Sequence, residues 1–259
     1  MVAEKIAKKE KRLMKAAVIA DVHGNAPALK AVLKSIDGQK DIDHIYCAGD
    51  MIGIGPDSNE VLRLLFSRTD VSMVTGNHDE AVLALLTGAE YPKSHAETKL
   101  HHQWIAKHLD PSFIPLLKGL PRTHRQTING CTLLLTHYHI KPDRLLDPIG
   151  EDPFSGIIEP SMDNMVSLFA DVSADIILFG HHHPLHYFKN DLACYVNPGS
   201  LGCSQKAAAP YAVIDFTTKP FSIQFEEVSY DKTAFLASYE KLQVPDRNFI
   251  LPVFHGAVT

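Results

Sequence analysis

Over the first third of the chain, short apolar runs alternate with longer amphipathic ones: KAAVIA, APALKAVLKSI, DHIYCAG, SNEVLRLLF and VSMVTG. The short runs suit buried strands. The longer ones repeat apolar residues at three- and four-residue spacing, as a helix packed on one face does. This βαβαβ pattern predicts an α/β fold with parallel strands and crossover helices. From about residue 78 to 118 the character is mainly helical, including HAETKLHHQWIAKHL and the proline-bearing DPSFIPLLKGLP, and reads as a helical insertion around 86–120. Two strands, RTHRQTI and CTLLLTH, are joined at Asn129-Gly130, a dipeptide that favours a tight hairpin turn. A Pro-, Asp- and Gly-rich loop (141–160), a helix near 161–171 and the strand DIILFG follow. LHYFK, LACYVN, YAVIDF and FSIQFEEV read as antiparallel strands, before a last helix near 231–242. No repeat stands out, and the expectation is one domain over 14–259 on two facing sheets, behind a basic extension over 1–13.

In open α/β sheets, ligands collect beyond the carboxyl ends of the strands. Those ends carry DVHGN, GDMIGIGP and GNHD in the first half of the chain, and THYH and GHHHP in the second. Asp21 and His23 stand two apart, as do His181 and His183, and extended backbone would aim each pair to one side, with His182 turned away. Each match alone has a plain structural explanation, such as Asp50 capping the helix that follows it. Together, five segments bring Asp21, His23, Asp50, Asn77, His137, His181 and His183 to a sheet edge. That set of carboxylate, amide and imidazole groups has the donor chemistry of a metal site.

Composition narrows the chemistry. The chain is 45% hydrophobic and 21% charged, with a formal net charge of −5, which argues against stable nucleic-acid binding through bulk charge. A phosphate-handling site would need its own local positive charge, which metal ions supply. Cys47, Cys131, Cys194 and Cys203 are spread out with no C-x-x-C pair, so a disulfide framework is not expected and a reducing cytoplasm is. The apolar stretch before Asp21 is too short for a signal peptide, and no run approaches the roughly 18 residues of a membrane span.

The ordered series DVHGN, GDMIGIGP, GNHD, LLLTHYH, GHHHP and NPGS resembles the calcineurin-like metallophosphoesterase superfamily, above all its small bacterial and archaeal phosphodiesterase-type members. The resemblance implies a four-layer α/β/β/α sandwich of two facing mixed sheets flanked by helices. It implies two divalent or trivalent transition-metal ions, with Mn, Fe, Co, Ni and Zn all compatible with the ligands. Asp21, His23, Asp50 and His183 would surround one ion and Asp50, Asn77, His137 and His181 the other, with Asp50 bridging. A metal-bridging hydroxide would attack phosphorus in line, with no covalent enzyme intermediate. His78, directly after Asn77, would sit over the phosphoryl group and stabilise charge or protonate the leaving oxygen.

The implied substrate is a phosphodiester or small nucleotide. A phosphomonoester, a dinucleoside polyphosphate and, in a different class, a non-catalytic protein-interaction scaffold on the same fold are the alternatives, and a homo-oligomer is left open. Where the phosphoprotein phosphatases carry a second Asp and an Arg, this chain has Gly53 and Ile54, which weakens a protein-phosphatase reading. Asp79 is expected as a helix first-turn charge that could also orient His78. His139 is expected either to crowd the pocket or to touch substrate. His95, His101, His102 and His108 of the insertion are expected to face water, leaving Lys99 and Lys107 as candidates to meet phosphate. Asn197, Gly199 and Ser200 suit a turn beneath the site.

Overall fold

A computed structural model describes residues 15–257, so the basic extension over 1–13 lies outside the described residues. The first sheet holds β1 (Lys15–Ile19), β2 (Ile42–Cys47) and β3 (Val71–Met73), linked through α1 (Ala26–Gly38) and α2 (Ser58–Phe66). These three strands are parallel, as the βαβαβ pattern predicts. After them come α3 (Asn77–Thr87), α4 (Lys99–His108) and α5 (Ile114–Lys118), the expected helical stretch.

The second sheet starts from the hairpin β4 (Thr123–Ile128) and β5 (Cys131–Thr136). It continues through α6 (Met162–Leu168), β6 (Ile176–Leu178), β7 (His186–Lys189) and β8 (Cys194–Asn197). Its order is β4-β5-β6-β8-β7. β9 (Ala208–Asp215) and β10 (Ser222–Ser229) return to the first sheet, whose order becomes β10-β9-β1-β2-β3. The expectation that all late strands are antiparallel is corrected at β8, which runs parallel to β6 and antiparallel only to β7.

Strand alternation builds the layers. Ala16, Val18 and Ala20 join Leu133, Leu135, Ile176 and Leu178 in the core between the sheets. Ala17 and Ile19 point the other way and meet Leu29, Val32 and Leu62 of α1 and α2. On the far face of the second sheet, Leu134 and Ile177 meet Met165 and Phe169 at α6. The result is the expected four-layer α/β/β/α sandwich of two mixed sheets flanked by helices.

α7 (Thr233–Lys241) forms near its expected place. A further helix, α8 (Arg247–His255), lies beyond the last helix expected and forms with Pro252 inside it, although proline removes a helix hydrogen bond. Burial of Ile250 and His255 against Phe235 and Tyr239 of α7 holds it in place. Among the described residues, no helix is long and apolar enough to cross a membrane.

Candidate metal centre

The ends of β1, β2, β5 and β6 and the start of α3 converge on one buried cluster. Asp21, His23, Asp50, Asn77 and His137 are almost fully buried, and His181 and His183 partly so. The structure thus brings together all seven residues expected as ligands, though not through extended backbone. Asp21, His23, Asp50 and His181 have φ of +52°, +45°, +49° and +68°. They sit in left-handed turns that L-residues enter at a cost and that recur where a site demands a particular direction. The reasoning from strand alternation is therefore corrected: turns aim these side chains. His182 is half-buried beside His186, outside the cluster, and its carbonyl accepts from Asn197 Nδ2 (2.5 Å).

The donors fall into overlapping groups. Asp21, His23 and Asp50 form one, and Asp50, His137 and His181 another, each with its donor atoms within 4.8 Å of one another. Oδ2 of Asp50 lies 3.2 Å from His137 Nε2 and 3.9 Å from His23 Nε2, while Oδ1 accepts the backbone N–H of His78 (2.8 Å). His23 Nε2 is 3.0 Å from His183 Nε2. Asn77 Oδ1 is 2.8 Å from His137 Nε2 and 2.7 Å from His181 Nδ1. Cys203 makes a third group with His23 and His183. Sequence reasoning passed it over because a lone cysteine carries no spacing signal.

Chemistry of the donor atoms shows what would satisfy them. His137 Nδ1 lies 2.7 Å from the Ala48 carbonyl, which only accepts, so Nδ1 carries the proton. Nε2 of a neutral His137 then presents a lone pair to the oxygens of Asn77 and Asp50, an arrangement that repels unless a positive charge sits among them. Burial works against an imidazolium, but Asp50 outweighs it and pushes His137 up to about 9. A proton can therefore occupy the place that a metal cation would take, and the residues fit the ions the resemblance implies. Burial also raises Asp21 to about 7, a shift that positive metal charge would reverse, and lowers His181 to about 3 and His183 to about 4, which keeps both rings neutral with a lone pair to offer.

Supporting contacts come from the backbone turns. Ser200 Oγ donates to the Asp21 carbonyl (2.9 Å), and Asn197 Nδ2 donates to the Gly180 carbonyl (3.2 Å), so the NPGS turn braces the loops from beneath. Gly76 caps α3 so tightly against Asp50 that a Cβ there would overlap the carboxylate. Asp79 is buried, and its oxygens accept the N–H groups of Gly76 and Ile52 (both 3.0 Å). It clamps the start of α3 to the loop after β2, and its two oxygens face these backbone groups while His78 turns its Nδ1 elsewhere.

That partner is His102, whose Nε2 lies 2.8 Å from His78 Nδ1. The expectation that the insertion histidines face water is corrected for three of the four: His101 and His102 are buried, His95 is half-buried, and only His108 is exposed. His95 Nε2 is 2.8 Å from Asn77 Nδ2. The 3-10 turn Lys93–Thr98 carries His95, and α4 turns His101 and His102 inward as it packs on α3, a tertiary contact that the helix pattern alone does not announce. Lys99 lies over the Tyr91 ring (5.2 Å) and Lys107 is exposed. His139 is buried away from the cluster between Ser155 Oγ (2.8 Å) and Asp171 Oδ1 (3.0 Å), because β5 ends at Thr136 and its alternation goes no further. A cavity of about 330 Å³ opens beside the cluster, lined by Asn77, His95, Ile149, Asp152, Phe154 and His181 among others.

Comparison with known proteins bears on the family and the fold. The family model described as the calcineurin-like phosphoesterase superfamily domain matches residues 14–219. An uncharacterised protein of Methanocaldococcus jannaschii is 28% identical over 241 residues, covering 87% of this chain and 90% of that one. A symmetrical bis(5'-nucleosyl)-tetraphosphatase of Pectobacterium atrosepticum is 40% identical over 72 residues, only 27% of this chain and 26% of that protein. In fold, a hypothetical protein of Pyrococcus horikoshii superposes with a TM-score of 0.75 at 22% identity, covering 95% of this chain and 99% of that one.

Proposed function

Because the chain belongs to the calcineurin-like phosphoesterase superfamily, a family of hydrolases acting on phosphate esters, we propose that it is a two-metal phosphodiesterase of small organic or nucleotide substrates. The single observation that carries this reading is Asp50, whose Oδ2 stands between the imidazoles of two separate donor groups. Asp21, His23, Asp50 and His183 would hold one ion, and Asp50, Asn77, His137 and His181 the other. Bound there, the ions would supply Lewis-acid charge and an activated water nucleophile.

The chain's own residues do the rest. Two carboxylates, Asp21 and Asp50, against two divalent ions leave about two positive charges for a phosphate group, which supplies the attraction that an overall acidic protein lacks. The buried walls keep bulk water from competing for the donors. His78 is the catalytic residue: with Nδ1 facing His102, its Nε2 is the nitrogen left to stabilise or protonate the leaving oxygen.

The adjoining cavity of about 330 Å³ gives the ester's organic part a place. Its wall carries Phe154, Ile149 and Ile157 with the carboxylate of Asp152, a lining that suits an uncharged organic group better than a phosphate chain. A dinucleoside polyphosphate is the second reading, favoured by the partial similarity to a symmetrical bis(5'-nucleosyl)-tetraphosphatase. The test is metal-free protein reloaded with Mn, Fe, Co, Ni or Zn and assayed on bis(p-nitrophenyl) phosphate, p-nitrophenyl phosphate and diadenosine tetraphosphate. We expect metal-dependent turnover with the diester preferred, and a fall of about 10²-fold or more in Asp50→Asn. A metal-loaded protein inert on all three esters, or full activity in Asp50→Asn, would overturn the reading.

A further inference from the structure

Two hydrogen-bond chains leave the site through the helical insertion, and the chemistry of their far ends determines the direction of every bond. The Tyr91 hydroxyl donates its only proton to the His95 carbonyl (3.0 Å). Its oxygen must then accept from His102 Nδ1, 2.7 Å away, which places the His102 proton on Nδ1. His102 Nε2 is left as an acceptor, so His78 Nδ1, 2.8 Å from it, carries a proton and donates. The second chain runs beside the first. Ser94 Oγ donates to Asp152 Oδ1 (2.5 Å), so it accepts from His95 Nδ1 (2.7 Å). His95 Nε2 then accepts from the Asn77 amide nitrogen (2.8 Å), which turns Asn77 Oδ1 toward His137 and His181. Burial pushes His102 down to about 3 and also lowers His95, in keeping with two neutral rings.

From these chains we infer that His95 and His102 are positioning residues which fix the atoms that two consecutive site residues present. His102 locks His78 in the tautomer with Nδ1–H, leaving toward the reacting ester an Nε2 lone pair that must take up a proton before it gives one to the leaving oxygen. His95 locks the flip of the Asn77 amide, so that oxygen rather than nitrogen faces the cation site. The insertion thus gives His78 Nδ1 a partner where Gly53 has no side chain to offer one, although a Cβ there would lie 2.9 Å from that nitrogen. The inference deepens the phosphoesterase reading and rests on it for the kinetic outcome, whereas the tautomer and the metal affinity can be read without any turnover.

The experiment pairs His102→Phe with His102→Gln and His95→Phe with His95→Gln, since glutamine keeps an acceptor near the position of the histidine Nε2. In metal-free and zinc-loaded protein, ¹⁵N chemical shifts of the His78 ring are expected to show a single Nδ1–H form in the wild type and in His102→Gln, and a mixture in His102→Phe. His102→Phe should lower kcat about 10- to 100-fold on bis(p-nitrophenyl) phosphate with KM and zinc affinity unchanged. His95→Phe should instead lower zinc affinity by calorimetry about 10- to 100-fold, and His95→Gln should restore most of it. Two results would overturn the inference: an unaltered His78 tautomer in His102→Phe, or equal losses of kcat, zinc affinity and thermal stability in the Phe and Gln variants. If wild-type protein binds zinc with the expected tautomer yet hydrolyses no ester, the phosphoesterase reading fails and the positioning inference stands.

Discussion

Asp50 and Gly76 show how little room the cluster leaves for substitution. A Cβ on Gly76 would overlap the Asp50 carboxylate, and one on Gly49 (φ +86°) would press on the His137 ring. Gly76→Ala should keep its far-ultraviolet circular dichroism but lose about 10²-fold in metal affinity by calorimetry; wild-type affinity would show that Asp50 has slack. In the histidine triplet, His181→Ala and His183→Ala should each release metal, while His182→Ala should retain it. Metal content by elemental analysis decides this, and loss in His182→Ala would sink the assignment. The outer two histidines were legible in the sequence because they follow an apolar strand; the positive φ that actually aims His181 was not. His95 and His102 were illegible for a different reason, since their partners Asn77 and His78 sit 18 and 24 positions away on another helix.

At the level of elements, the strands and most helices follow from their apolar spacing, whereas α8 forms only because α7 offers it an apolar face. That contact carries a pH dependence. His255 Nε2 meets the Tyr239 hydroxyl (2.8 Å), and burial, aided by Lys232, lowers His255 to about 4; burial likewise lowers His101 on α4 to about 4. An unfolded chain protonates both near pH 6.5, so between about pH 6.5 and 4 it binds more protons than the native state. Stability is therefore full above this window and falls as the pH drops through it, by a few kcal/mol for the pair. Urea midpoints measured from pH 7.5 to 4.5 should fall accordingly. His255→Gln, which can keep the bond to Tyr239 but cannot titrate, should make the profile shallower and leave the His101 share; an unchanged slope would remove His255 from the account.

On the scale of the whole molecule, the proposed ions tie together loops from both sheets and the start of α3, so metal binding and folding are linked. Metal at about a hundred times its Kd should raise Tm by roughly 5–10 °C, and EDTA should reverse this. The same titration on Asp50→Asn should give little or no shift, and a full shift would place the ions elsewhere. The four-layer sandwich was implied by resemblance, whereas by itself the sequence determined the α/β order of strands and helices and the set of seven polar residues at the sheet edge. Both depend on local information, namely the two- and 3.6-residue periods of burial and the identity of the residue that ends each strand. Only the tertiary structure decided the turn geometry that aims those side chains, the inward face of the insertion, the turning of His139 away from the cluster and the docking of α8. Each of these depends on which surface a segment meets, and packing between segments distant in the chain leaves no period in the sequence.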